Sequence, residues 1–309
     1  MTRNIWIESF YDPGDLDRIQ EDGIITNAYP FFGVVDGYSE PSSPSHPKIR
    51  FSDGQTGGQM VRDAILMAIT VSSYSCASLK QDLLSVNLEI LERKRRESLS
   101  SEIENNFSSG AAFLVGKINQ STDTVEIVQG GDCTAIVVDK FGEITTIWGE
   151  RFHPIEADLR RRKAEIMAMP GVAGDQARME EIFYPYLCKS RKERGNNIYP
   201  ILDGRPELMD LIEIKTFPLS KTQRIICFTD GMLPWDEKPD WEQLSSWVFH
   251  TLSNLNGFSW IMQFTRCQEK KSHEIFFAEA SCQVVHFGRL TLGPEKNWAL
   301  LFERLPREK

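Results

Sequence analysis

Short apolar runs closed by turn residues outnumber amphipathic stretches along this chain, and their order predicts its elements. Residues 1–35 read as two or three strands, with a turn at YDPGD and the last strand at 31–35. Residues 38–56, YSEPSSPSHPKIRFSDGQT, carry Pro, Ser and Gly without any period and predict an exposed loop. Apolar positions then recur at helical spacing from Gly57 to Thr70, placing Met60, Ala64, Met67 and Ala68 on one face. A second helix is predicted over 79–97, with Leu83, Leu84, Leu88 and Leu91 inward, before the polar break SEIENNFSSG.

Closely spaced strands follow at 111–118, 124–129, 133–139 and 143–148, and the connectors QSTD, GGD and KFG read as hairpin turns. Next come a helix at 155–168, irregular polar sequence at 170–206, and a strand pair at 210–217 and 223–229. Residues 239–269 are mainly helical, with Trp241, Leu244, Trp247 and Val248 as an apolar face, and 282–287 form a last strand. This order is neither the alternation of a parallel doubly wound fold nor a helical bundle. It predicts an α+β fold of antiparallel sheets packed face to face with helices outside.

Composition narrows the class. Of 309 residues, 41% are hydrophobic and 26% charged, an ordinary globular profile. No apolar run reaches the length of a membrane span, and MTRNIWIESFYDPGD lacks the apolar centre of a signal peptide. The six cysteines, Cys76, Cys133, Cys188, Cys227, Cys267 and Cys282, lack CxxC spacing and read as reduced thiols of a cytoplasmic protein. A net charge of −9 argues against binding to a nucleic-acid backbone. The basic runs ERKRRE (92–97) and RRRK (160–163) lie in helical stretches beside acidic residues and read as solvated faces.

Several chemistries are excluded by what the chain lacks. It has no phosphate-cradling G-x-x-x-x-G-K-[ST] loop, no G-x-G-x-x-G after a strand and no G-x-S-x-G elbow. His46, His153, His250, His273 and His286 are isolated, so zinc ligation is not indicated.

Two stretches share a more specific ending: FFGVVDG at 31–37 and IICFTDG at 225–231. Each is an apolar strand that stops on Asp-Gly, and each Asp-Gly alone is also an ordinary turn dipeptide. An Asp at a strand mouth is held on a stiff element, and the Gly lets the backbone turn sharply with its carbonyl free. Brought together, Asp36 and Asp230 would form a carboxylate pair suited to a hard divalent cation. Glu21 and Asp22 sit on a turn before the strand ending at Asp36, Asp132 lies in the Gly-led turn GGD, and Glu279 precedes the last strand.

In this order the segments resemble the metal-dependent PPM (PP2C-like) protein serine/threonine phosphatases, of bacterial type. QED (20–22) is similar to the family's first acidic motif, FFGVVDG to its strand ending in Asp-Gly, and GGQMVRDAI to the opening of its first long helix. VQGGDCTAIVVD is similar to the family's Gly-Asp strand turn, IICFTDGM to its late Asp-Gly, and IYPILDGRPELMDLIE (198–213) to a segment of bacterial members. The resemblance implies a four-layer α-β-β-α sandwich forming one domain over 1–290, with the 38–56 loop inserted and 291–309 as a C-terminal extension.

It also implies a site and an activity. Asp36 would bridge two Mn²⁺ or Mg²⁺ ions, the Gly37 carbonyl would bind one and Asp230 the other. Glu21 and Asp22 would act through waters, and Asp132 would help hold a third ion. Cations roughly 3.5–4 Å apart would activate a water to hydrolyse phosphoserine or phosphothreonine in a phosphoprotein substrate. The acidic net charge and the short apolar runs predict no nucleic-acid or membrane partner. Three positions depart from the family pattern. Ala278 stands where a metal-binding Asp is usual, leaving Glu279 as the candidate replacement. Tyr38 stands where some members carry a His, and Arg18, the candidate phosphate ligand, lies three residues before Glu21 rather than four. The alternative reading is a catalytically impaired phosphatase-like module acting in binding or regulation.

Overall fold

The computed structural model describes residues 4–12, 19–26, 28–48, 50–72, 78–97, 109–147, 151, 153–232 and 280–287. Ten strands are present among them: β1 (Ile5–Asp12), β2 (Asp22–Ile24), β3 (Phe31–Tyr38), β4 (Gly110–Asn119), β5 (Thr124–Gly130), β6 (Thr134–Asp139), β7 (Ile144–Ile147), β8 (Ile214–Pro218), β9 (Thr222–Phe228) and β10 (Ala280–Phe287). They form two five-stranded antiparallel sheets, ordered β1-β10-β9-β6-β7 and β2-β3-β4-β5-β8. Five helices accompany them: α1 (Gly57–Ser72), α2 (Leu79–Glu97), α3 (His153–Met167), α4 (Gln176–Arg194) and the single turn α5 (Leu208–Leu211).

The continuous apolar run in β3 follows from burial on both faces. Phe32 and Val34 point between the sheets, where they meet Leu114, Ile127, Val137, Ile225 and Val285. Phe31 and Val35 point the other way, onto Met60, Ala64 and Ile65 of α1 and Leu83 and Ile90 of α2. A strand buried on both sides loses the polar alternation of a half-exposed one. The sheets are also joined by a polar tie. Buried Gln283 of β10 accepts from the Gly33 amide at 2.6 Å and donates to the Ile25 carbonyl at 2.8 Å.

One predicted hairpin and one predicted strand pair are crossings between sheets instead. GGD links β5 to β6, and residues 219–221 link β8 to β9, yet each connector's strands belong to opposite sheets. At the first crossing Gly131 has φ +69, and a Cβ there would come within 2.4 Å of the Ala112 Cβ. The chain therefore turns over the end of β4 and does not fold back beside β5. In the predicted strand 210–217, the first residues form α5 and only Ile214–Pro218 is strand, paired with β5.

The helices depart from expectation in two ways. On α2 the inward stripe is Leu79, Leu83, Val86 and Ile90, while Leu84 and Leu88 are exposed. That stripe also brings Asn87 to the Arg205 carbonyl (2.7 Å) and Lys94 to the Ser109 and Asp203 carbonyls (2.6 and 2.9 Å). On α1 Met60 and Ala64 are buried and Ala68 packs partly, but Met67 is exposed. The stretch read as irregular at 170–206 contains the whole of α4. Its signal is weak because Met179 and Ser190 are its buried side chains and Pro185 lies inside it. It is sustained by the Asp175 cap, which accepts from the Arg178 amide at 3.0 Å, and by basic residues in its last turn.

The 38–56 segment is only partly an exposed loop. Ser39 and Ser43 are buried. It leans on α4, where the Ser45 amide donates to Glu181 at 3.2 Å and His46 stacks on Tyr184 with ring centres 4.1 Å apart. The helix layer expected at 239–269 lies outside the described residues, as do the ends at 291–309. No helix among the described residues is long and apolar enough to cross a membrane.

Candidate metal centre

Three carboxylates meet at one edge of the sandwich, each delivered by a different chain reversal. Asp36 lies near the end of β3, Asp132 in the β5–β6 crossing, and Asp230 opens the 3-10 turn that follows β9. Oxygens of all three lie within 4.8 Å of one another. The residues are half-buried, so the cluster opens towards solvent at its rim.

Placing like charges this close is costly, and the ionisation shows it. Burial pushes the Asp132 carboxyl well up, and the charges of Asp230 and Glu156 add to the effect. Asp230 is raised to about 6, by burial first and Glu156 second, against the opposing influence of Arg160, a hydrogen bond with Asp36 and the Gly231 amide. The buried Cys133 thiol is also pushed up, by burial and then by Asp36, Asp132, Asp22 and Asp230. It is therefore kept neutral and does not serve as a thiolate.

Asp22 is buried directly opposite Asp36 in the β2–β3 pair, and its Oδ2 accepts from the Thr229 hydroxyl at 2.8 Å. Thr229 is in turn bonded twice to Ser281, its amide donating to the Ser281 carbonyl at 3.0 Å and its Oγ1 accepting from the Ser281 amide at 3.0 Å. The turn before Asp230 is thereby fixed to both β2 and β10.

Glu21 is directed elsewhere. Its carboxylate accepts from the Ser39 and Thr56 hydroxyls and lies 4.0 Å from the Lys48 ammonium. The Gly37 amide donates to the Glu21 carbonyl at 3.1 Å. A Cβ on Gly37 would stand 2.6 Å from that oxygen, and one on Gly58 would stand 2.6 Å from the Glu21 carboxyl carbon. Glycine is thus required on both sides of Glu21, which ties the start of α1 to the end of β3. Tyr38 follows with its ring under the Arg191 guanidinium at 4.5 Å and its phenol held neutral by burial. Arg18, Ala278 and Glu279 lie outside the described residues.

Sequence reasoning missed the contribution of α3. Ile155 and Leu159 pack with Tyr38, Tyr199 and Ile201, which docks the helix beside the Asp36–Gly37 turn. Glu156 and Arg160, one position further round, form an ion pair whose two charges reach Asp132 and Asp230. Their i, i+4 spacing was visible in the sequence but points only to a helix face.

The donor set suits a divalent ion such as Mn²⁺ or Mg²⁺. It offers clustered carboxylate oxygens with no imidazole or thiolate in the group. The raised proton affinity of Asp132 and Asp230 marks a position where positive charge is favoured.

No family model matches the sequence, and no curated protein matches it either. Solved structures do. The catalytic domain of the serine threonine protein phosphatase PstP, in complex with two manganese ions, matches 93% of this chain and 100% of its own at TM-score 0.58 and 12% identity. The serine/threonine phosphatase Stp1 from Staphylococcus aureus matches 92% of this chain and 94% of its own at TM-score 0.54 and 12% identity. RsbX in complex with magnesium matches 92% of this chain and 96% of its own at TM-score 0.50 and 13% identity. With two stacked antiparallel sheets and helices against them, this chain has the α+β sandwich fold of the bacterial PP2C-type phosphatases.

Proposed function

We propose that this protein is a metal-dependent phosphatase that hydrolyses phosphoserine or phosphothreonine in a phosphoprotein. The observation that carries the reading is the convergence of Asp36, Asp132 and Asp230 in a fold whose solved neighbours include manganese and magnesium complexes. Asp36 and Asp230 are the principal ligands, the Gly37 carbonyl and Asp132 assist, and Mn²⁺ or Mg²⁺ is the ion. When bound, the ions activate a water and offset the phosphate charge.

The other residues set the geometry. Asp22, held by Thr229, fixes β2 against the Asp36 turn. Glu21 fixes the Gly37 backbone and the start of α1. Neither group needs direct contact with an ion to position those that have it. The domain is assigned to 1–290 and the location to the cytoplasm, where a phosphatase of this kind acts in signalling. The described cysteines, Cys133, Cys188, Cys227 and Cys282, are free thiols.

The test is hydrolysis of a phosphopeptide with and without Mn²⁺. Mn²⁺ is expected to stimulate turnover, and Asp36→Asn or Asp230→Asn to lower it by about a thousandfold or more while the circular dichroism spectrum stays unchanged. Wild-type rates in both variants would remove this centre from the reaction.

A further inference from the structure

The basic run 160–163 divides in the structure in a way its sequence does not announce. Arg161 pairs with Asp158 at 2.6 Å and Glu165 at 2.7 Å, and Arg162 pairs with Glu165 at 3.0 Å. Asp158 itself is turned towards α4, where it meets Arg194 at 2.8 Å and the Tyr186 hydroxyl. These pairs lie on the side of α3 that joins α4. Arg160 lies on a different strip. It is bound to Glu156 one turn earlier, and about half of its side chain is exposed.

The position of that strip follows from the docking of its neighbour. Ile155 and Leu159 are seated against Tyr38, the residue after the Asp36–Gly37 turn, and against Tyr199 and Ile201. Arg191 of α4 clamps the same place, donating to the Ser39 carbonyl and covering the Tyr38 ring. With 155 and 159 seated at the residue that follows the Asp36–Gly37 turn, the neighbouring strip with 156 and 160 comes within electrostatic reach of Asp132 and Asp230. A guanidinium at the rim of a cation site is placed to bond two oxygens of an incoming phosphate at once, a geometry that lysine cannot match.

We propose that Arg160 is a side chain that receives the substrate's phosphate oxygens, with Glu156 holding its guanidinium until the phosphate displaces it. The inference rests on the phosphatase reading above. It assigns a specific role to a residue that composition alone places on a solvated face.

Two measurements separate the inference from that reading: titration of the Mn²⁺-supplemented protein with inorganic phosphate by calorimetry, and phosphopeptide kinetics. Arg160→Gln is expected to weaken phosphate binding and raise KM by about tenfold, with kcat and Mn²⁺ affinity within about twofold of wild type. Arg160→Lys recovers part of the loss. Glu156→Gln, which removes the charge of that carboxylate, tightens phosphate binding. Arg161→Gln serves as the control for nonspecific charge and leaves both values unchanged. The proposal is overturned if Arg160→Gln binds phosphate as wild type does, if Arg161→Gln loses as much, or if the wild-type protein with Mn²⁺ binds no phosphate. An absence of phosphopeptide turnover in wild type would defeat the phosphatase reading, while the phosphate titration would still decide the role of Arg160.

Discussion

The sandwich and the α3–α4 pair are held together by different forces. Between the sheets, Phe32, Leu114, Ile127 and Ile225 are fully enclosed, and every neighbouring strand adds apolar contact. The α3–α4 pair has a small apolar centre of Ile166, Val172 and Met179, joined by the Asp158–Arg194 ion pair and the Tyr186–Asp158 contact, while Arg161 pairs within α3 itself. Exposed ion pairs contribute little individually, whereas enclosed apolar groups contribute strongly. The candidate site therefore combines a stiff side, bearing the three aspartates, with a softer side, bearing Glu156 and Arg160. A stiff side suits ions that demand fixed ligands, and a softer one suits a substrate that must enter and leave.

The contrast can be broken most forcefully in the sandwich. Phe32→Ala should cost about 3–5 kcal/mol in global stability by urea unfolding, since it opens a cavity where nothing can move in. A loss below about 1 kcal/mol would mean that the layers can collapse around the gap, and the stiff side is less stiff than its packing implies.

The pH dependence of the ion-free protein is next. Asp230 is raised to about 6, so the folded chain holds a proton that the unfolded chain has released between roughly pH 4 and 6. Stability should fall as pH rises through that window, because the folded state there binds more protons. Asp230→Asn should flatten the slope, and added Mn²⁺ should reverse it by favouring the ionised carboxylates. Thermal melts at pH 4, 5, 6 and 7 with a chelator, then with Mn²⁺, would show it. A melting temperature that rises across the window without metal would contradict the assigned burial.

On the softer side the expected effects are smaller. Tyr186→Phe removes a hydroxyl donor to Asp158 and should cost about 1 kcal/mol, read as faster amide exchange in 176–194 with little change in β3 and β4. Arg161→Gln should change stability by less than about 0.5 kcal/mol, because both its pairs are exposed. Equal exchange changes in α4 and in the sheets would show that the two regions unfold together and remove the distinction.

The same contrast explains what was legible in the sequence. Enclosed strands leave continuous apolar runs, so β3, β4, β6, β9 and β10 were readable, along with the Asp-Gly that closes two of them. The sheet to which each strand belongs was not readable. GGD looks like a hairpin turn, and only the close approach of Gly131 to Ala112, two residues far apart in their surroundings along the chain, sends the strand to the other sheet. Helix α4 was hidden because charge pairing leaves no apolar period. The roles of Glu156 and Arg160 were hidden for a related reason. Their placement beside the aspartates depends on where Ile155 and Leu159 dock, and local spacing carries no trace of that.

The pairing of β1 with β10, Ile5 opposite Phe287, has a consequence for synthesis. Because β10 also lies between β1 and β9, that sheet is left without an inner member until residues 280–287 have left the ribosome. Until then β1 has no mate among the described strands and the apolar edge of β9 stands open, a state prone to pairing with other nascent chains. Closure of this sheet is therefore a late step in synthesis, timed by the translation of residues 280–287.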